Sequence, residues 1–212
     1  MSCIDKKLKK KFYFDDYDSL GRFISYFYQI KETINTKPKT ILEIGIGNKT
    51  VCYYLKYAGF HVTTLDINKE LNPDKVGDIR DIPFPNNQFD TVIACEILEH
   101  IPFLDLPKAL EELKRVSKKN TIISLPYSCA FIENTSKISI PFLKKQFHFA
   151  IRIPYFLIKV IYGQHNISHY WEMGRKGYPK RKIRELIKKF YKIEKEFFPE
   201  LNSYHYFFVL RK

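Results

Sequence analysis

Residues 40–50, TILEIGIGNKT, constrain this chain more than any other stretch. Ile41, Leu42 and Ile44 make the short unbroken apolar run of a strand covered on both faces. Glu43 precedes two glycines at alternate positions, Gly45 and Gly47. Glycine lets the backbone turn through positive φ, and it lets a ligand approach with no Cβ in the way. Residues 49–59 then read as a helix, with Val51, Tyr54, Leu55 and Ala58 on one face and Gly59 as its stop. A glycine turn from strand to helix sets free N–H groups and the helix dipole against a polar or anionic ligand group. An α/β chain with a nucleotide-type cleft at the end of its first strand is the expectation.

The next segments narrow the ligand. Residues 61–67, HVTTLDI, alternate as a second strand, with Asp66 at its C-terminal end. Asp66 lies about 20 residues past the glycines, where an acid accepts hydrogen bonds from ribose hydroxyls in nucleotide-binding βαβ units. A dinucleotide dehydrogenase is the first alternative. Its G-x-G-x-x-G fingerprint fails here, because Thr50 stands where the third glycine belongs. Nor does that fingerprint call for an acid two residues before the first glycine, where Glu43 stands.

Residues 76–101, VGDIRDIPFPNNQFDTVIACEILEHI, supply the rest. Together with Glu43, Gly45, Gly47 and Asp66, they resemble the class I S-adenosylmethionine (SAM)-dependent methyltransferases. The nearest likeness is to the small, single-domain, methyltransferase type 11-like branch. The likeness is strong over 38–127 and loose elsewhere. It implies a Rossmann-like doubly wound sheet of seven mostly parallel strands with an antiparallel last strand. It also implies SAM as cofactor, with S-adenosylhomocysteine (SAH) as product. By the same resemblance, Glu43, Gly45 and Gly47 would lie under the methionine part of SAM. Asp66 would meet the ribose hydroxyls and Ile67 the adenine. Asp78 would receive the adenine amino group, with Ile79 supplying a backbone N–H. Cys95 and Glu96 would border the sulfonium and the acceptor pocket. Many relatives carry a third glycine where this chain has Lys49, which leaves the far side of the loop in question.

The length suits one domain, 1–212. Residues 1–11 read as a basic tail and 12–37 as an N-terminal helical cap, with a helix over 20–35 started by Asp18 or Ser19. Tyr17 and Arg22 are candidates for cofactor or substrate contact. The SAM-binding core would span 38–127, with a short third strand at 76–77, a fourth at 89–95, a helix over 105–118 and a fifth strand at 121–125. Residues 128–170 form an insertion or lid, expected to be helical and rich in aromatics. Within it, 140–163 is too charged to span a bilayer. A substrate lid, a homodimer contact or a peripheral membrane patch would each suit it. Residues 171–212 read as a C-terminal helix (179–191) and a hairpin (191–197 and 204–210).

Composition bounds the partners. The net charge is +13, which leaves nucleic acid open as a substrate. Lys far outnumbers Arg, and Ile, Asn, Tyr and Phe abound, a bias an AT-rich genome produces unaided. A small-molecule acceptor is therefore favoured over RNA or protein, and a non-catalytic SAM-binding module is the remaining alternative. Cys3, Cys52, Cys95 and Cys129 show no paired spacing, so reduced thiols in a cytoplasmic protein are expected. No signal peptide is visible. His165 and His169 stand four apart, but no third ligand is evident, so no metal is expected. Transfer from SAM needs orientation above all, and a base only where the acceptor proton must leave. Glu96, His100, His148 and His169 are the candidate bases.

Overall fold

The computed structural model describes residues 18–154 and 169–212. The elements run α1 (Leu20–Asn35), β1 (Thr40–Ile44), α2 (Thr50–Tyr57), β2 (His61–Asp66), β3 (Lys75–Val76), β4 (Phe89–Cys95), α3 (Leu106–Val116) and β5 (Ser117–Pro126). After these come β6 (Cys129–Ile140), β7 (Leu143–Pro154), α4 (Lys180–Lys188), β8 (Lys192–Phe197) and β9 (His205–Arg211). Seven strands form one sheet in the order β3-β2-β1-β4-β5-β9-β8. The pairs from β3 to β5 are parallel, and β9 runs antiparallel to both β5 and β8. This is the expected doubly wound sheet with its single reversed strand.

Strand alternation divides the core into two layers. Ile41 and Ile93 turn toward Tyr26, Val51 and Leu55 on the α1 and α2 side. Leu42, Val92 and Ala94 turn the other way, into the larger cluster with α3 and α4. Helix α3 buries Leu106, Ala109, Leu110, Leu113 and Val116 as its periodicity predicts. Helix α2 departs slightly: Val51, Cys52 and Leu55 are buried, while Tyr54 lies exposed. The phenol ring has a polar end, and a short helix leaves its neighbouring turn to water.

Three polar ties fix α1 across the sheet. Glu32, almost fully buried, meets Lys195 of β8 at 2.6 Å. Asn202 Nδ2 donates to the Gly21 carbonyl at 2.7 Å, and the Thr36 and Thr91 hydroxyls meet at 2.7 Å. Ser19 caps the helix by accepting the Arg22 N–H.

The insertion differs from expectation. Residues 129–154 form an antiparallel hairpin, β6 with β7, and not a helix. Its composition is apolar and aromatic, but its period is two: Phe147, Phe149, Ile151 and Ile153 alternate with Gln146, His148, Ala150 and Arg152. Ile140 pairs with Leu143 across Pro141 and Phe142, so the proline that breaks a helix here occupies a tight turn. Residues 1–11, Tyr17, the 155–163 part of the proposed surface patch and His165 lie outside the described residues. Among the described residues, no helix is long and apolar enough to cross a membrane.

The chain after the insertion is pinned to the sheet end. Trp171, 2% exposed, donates its ring N–H to the Ile101 carbonyl at 3.1 Å. Met173 N donates to Pro126 O at 3.1 Å, and Ser128 N donates to Met173 O at 2.7 Å. Trp171→Ala should therefore cost roughly 3–5 kcal/mol, the range for emptying a large aromatic site. Urea unfolding would measure it, and a loss below about 1 kcal/mol would mean that this segment is not docked.

Candidate active site

The loop leaving β1 is held from two sides. Gly45 N–H donates to the Leu65 carbonyl at 2.9 Å, one residue beyond the β1–β2 pairing. The Asp66 carboxylate then accepts the Ile46 N–H at 2.9 Å and the Asn68 N–H at 2.8 Å. Gly45 has φ +77°, and a Cβ there would sit 2.3 Å from Ile97 Cγ2. Gly47 has φ +47° with nothing near. Lys49 also takes a left-handed conformation, φ +68°, the one a glycine adopts freely. The loop thus keeps its shape without the third glycine. Asn48 spans the loop: its Nδ2 donates to both Asp18 carboxylate oxygens, and its Oδ1 accepts the Thr50 N–H.

These groups wall one cleft. Glu43, Gly45, Gly47 and Asp66 line it from β1 and β2, Cys95, Glu96 and His100 from the end of β4, and Arg22, Tyr26 and Gln29 from α1. The other expected residues do not line it. Ile67 is exposed and Ile79 is buried in the core. Asp78 is engaged by Arg80, whose Nε and Nη2 lie at 3.0 and 2.7 Å. Those Arg80 hydrogen bonds hold the Asp78 carboxyl below its usual range, against a smaller upward push from burial. His148 stays on the hairpin, with Thr135 and Glu133 beside its two ring nitrogens.

Several acids are buried along this edge. Burial pushes Glu43 up to about 8, with one carboxylate oxygen lacking any hydrogen-bond partner among the described residues. Burial also raises Asp66, against hydrogen bonds from the Asn68 and Ile46 N–H groups. Glu96 sits at φ +55° directly after β4. Burial pushes it up to about 7 against the pull of the Arg22 charge. Ser124 donates to one of its oxygens at 2.8 Å, and His205 Nε2 lies 3.2 Å from the other. Burial, reinforced by the Arg22 charge, keeps His205 well below its usual range and hence neutral. The Asn202 amide N–H faces His205 Nδ1 at 3.3 Å, so the ring proton belongs on Nε2, toward Glu96. Cys95 faces the cleft with part of its surface, but its packed surroundings push the thiol far up. Those surroundings disfavour a thiolate there.

Past Glu96, the chain enters a 3-10 turn, Leu98–His100. Here Glu99 is fully buried, and His169 approaches from the returning chain, its ring against that of His100 at 4.8 Å. Asn48, His205, Asn202 and Glu172 are site neighbours that sequence reasoning missed. Asn48 had a signal, a polar residue inside the glycine turn. The other three come from the far end of the chain and had none.

The family model described as "Methyltransferase domain" matches residues 42–125. Sterol 24-C-methyltransferase ERG6B of Gibberella zeae is 32% identical over 127 residues, 51% of this chain. That stretch spans only 33% of the fungal enzyme. Among solved structures, magnesium protoporphyrin IX methyltransferase of Synechocystis PCC 6803 with bound SAH superposes with TM-score 0.64 at 13% identity, covering 95% of this chain and 91% of that one. The PH0226 protein of Pyrococcus horikoshii OT3 gives 0.61 at 19% identity, covering 95% of each.

Two measurements follow from the loop and its acid. Gly45→Ala should destabilise more than Gly47→Ala. Both incur about 1–2 kcal/mol for left-handed backbone, but only Gly45 adds the collision with Ile97. Equal losses in urea unfolding would contradict this. Glu43 is raised in the folded state from an ordinary 4.5 to about 8. The folded state therefore prefers the protonated acid, and its stability is full below about pH 4.5 and declines as pH rises toward 8. Glu43→Gln should flatten that decline, so its Tm advantage over the parent should grow from pH 5 to about pH 8. A gap that is constant with pH would refute the buried-acid account.

Proposed function

We propose that this chain, which carries a class I SAM-dependent methyltransferase domain, moves a methyl group from SAM to a nucleophile on a small-molecule acceptor. One observation carries the reading. The glycine loop and Asp66 share a single cleft with Glu96 and His100, so a donor seated on the first pair reaches the second. Asp66 would accept ribose hydroxyls with the lone pairs left over from Ile46 and Asn68. The amino-acid end of SAM would lie over Gly45 and Gly47, beside Glu43. Two of the similar proteins are named for a sterol and for magnesium protoporphyrin IX, which supports a small acceptor.

SAM already carries an activated methyl on a cationic sulfur. The chain's task is to hold a nucleophile in line with it, and such orientation supplies about 7–11 kcal/mol. The cleft wall sets Glu43, Asp66 and Glu96 beside Arg22 and so lacks the uniformly basic lining that a polyanion would call for. Glu96 is the best placed base. It lines the cleft, its carboxyl is held near 7, and Ser124 and His205 fix it.

Calorimetry with SAM and SAH tests the donor. Asp66→Ala should weaken both at least about tenfold, since a charge-assisted hydrogen bond is worth ~1.5–3 kcal/mol. No binding at millimolar SAM would sink the reading. Labelled SAM incubated with cell extract tests the acceptor, and label in RNA or protein rather than small metabolites would overturn the small-molecule part. Glu96→Gln should lower kcat by about 100-fold or more, within the usual range for a general base, with SAM affinity unchanged. Unaltered kcat would leave transfer to orientation alone.

A further inference from the structure

The geometry points to a metal site at the acceptor end of the cleft: Glu99, His100 and His169 together would hold a first-row divalent transition-metal ion of the zinc type. Glu99 carries the case. It is 0% exposed, and neither carboxylate oxygen makes a hydrogen bond to another described residue. Such a carboxylate is costly to ionise unless something positive joins it. Around it stand two imidazoles. His100 Nε2 lies 3.9 Å and His169 Nε2 4.0 Å from the same Glu99 oxygen, too long for hydrogen bonds. One donor atom from each residue falls within 4.8 Å of the others. Ligand atoms around one zinc-like ion, each at about 2.0–2.2 Å, lie roughly 3–4 Å apart. A small inward movement therefore completes the coordination.

The surroundings match a ligand shell. His169 Nδ1 faces a Glu172 oxygen at 2.9 Å, and Ser128 and Arg175 hold Glu172 in turn. The Glu172 contact sets the His169 ring with Nε2 toward Glu99, as second-shell carboxylates do for metal-bound histidine. The returning chain is also clamped to the turn: Tyr170 N donates to Glu99 O at 2.9 Å, and Trp171 to Ile101 O. Two imidazoles and one carboxylate suit zinc, iron or cobalt and not magnesium or calcium, which take oxygen ligands. The sequence hid this set, because His169 reads with His165 and meets Glu99-His100 only through the fold.

His100 lines the cleft, so the ion's open positions face the acceptor. Resting on the methyl-transfer reading, the acceptor class is a hydroxyl or enol. Its oxygen would bind the ion and its proton would pass to Glu96. The oxygen lone pair would then form the new C–O bond as the C–S bond breaks, its electron pair going to sulfur.

Untagged protein, stripped with a chelator, should be titrated with Co2+ and followed by its visible d–d absorption, then with Zn2+ by calorimetry. One equivalent should bind with micromolar or tighter affinity, zinc should abolish the cobalt spectrum, and millimolar Mg2+ should leave it intact. His169→Ala and Glu99→Gln should each weaken cobalt at least about 100-fold, and Glu172→Gln about 10–100-fold as an outer-shell change. Absence of a cobalt spectrum with the parent protein at millimolar Co2+ overturns the site, whatever the variants do. So does parent-like affinity in a folded His169→Ala protein. SAM calorimetry on the same metal-free sample separates the two readings. Cobalt without SAM binding keeps the site and removes methyl transfer, and SAM without cobalt does the reverse.

Discussion

The hydrogen bond from Ile46 N–H to the Asp66 carboxylate is the interaction on which the mouth of the sheet depends. Parallel pairing brings β1 and β2 to the same end but leaves their last N–H groups to find partners. Gly45 continues the ladder by one residue, to Leu65. Beyond it the backbone turns away, and only a side chain can follow. Asp66 does so, and the Asn68 N–H shares its charge. Ile97, from the chain after β4, then closes against the Cα of Gly45. Three strand ends therefore set one loop, and a change at any of them moves the start of α2.

The same edge explains how charge should be read in this chain. The net charge of +13 is a sum over the whole chain and locates no charge within it. The cleft region gathers Glu43, Asp66, Glu99 and Glu172, all buried, with the part-buried Glu96. A parallel sheet places every loop after a strand at one end, so residues distant in sequence meet there. Burial drives most of these carboxyls upward, and the structure answers each differently: N–H groups for Asp66, Ser124 and His205 for Glu96, His169 and Arg175 for Glu172. Among the described residues, Glu43 and Glu99 retain oxygens with no such answer.

What the sequence disclosed follows the range of the forces involved. Strand β4 was legible to the residue, since Phe89 to Cys95 is an apolar run bounded by a turn. The seven-stranded sheet with its reversed last strand followed from a resemblance carried by Glu43, Gly45, Gly47, Asp66 and residues 76–101. The hairpin was misread because aromatic content was weighed above period: alternation over 143–154 was present and decides for strands. Asp78 is paired with Arg80, two residues on, a local contact that the resemblance does not carry. His169, Glu172, His205 and Asn202 were invisible as a group. They approach Glu96 and Glu99 from 70 or more residues away, and no local pattern encodes that.

The insertion is less detached than its exposed faces suggest. Glu133 of β6 accepts from Leu201 N at 2.7 Å and from the Ser203 hydroxyl at 2.6 Å. Arg152 of β7 also reaches Ser203, at 2.9 Å. The neighbouring Asn202 holds α1 through the Gly21 carbonyl and faces His205, which in turn faces Glu96. One short loop, 201–203, therefore joins the base of the hairpin, the helix over the cleft and the histidine that faces Glu96. The outer hairpin can vary in length and sequence at little conformational cost, because loop-closure entropy grows slowly with length. Its base cannot vary so freely, since whatever displaces Glu133 or Arg152 also displaces Asn202. The Glu96 end of the cleft is thus set from the hairpin's foot.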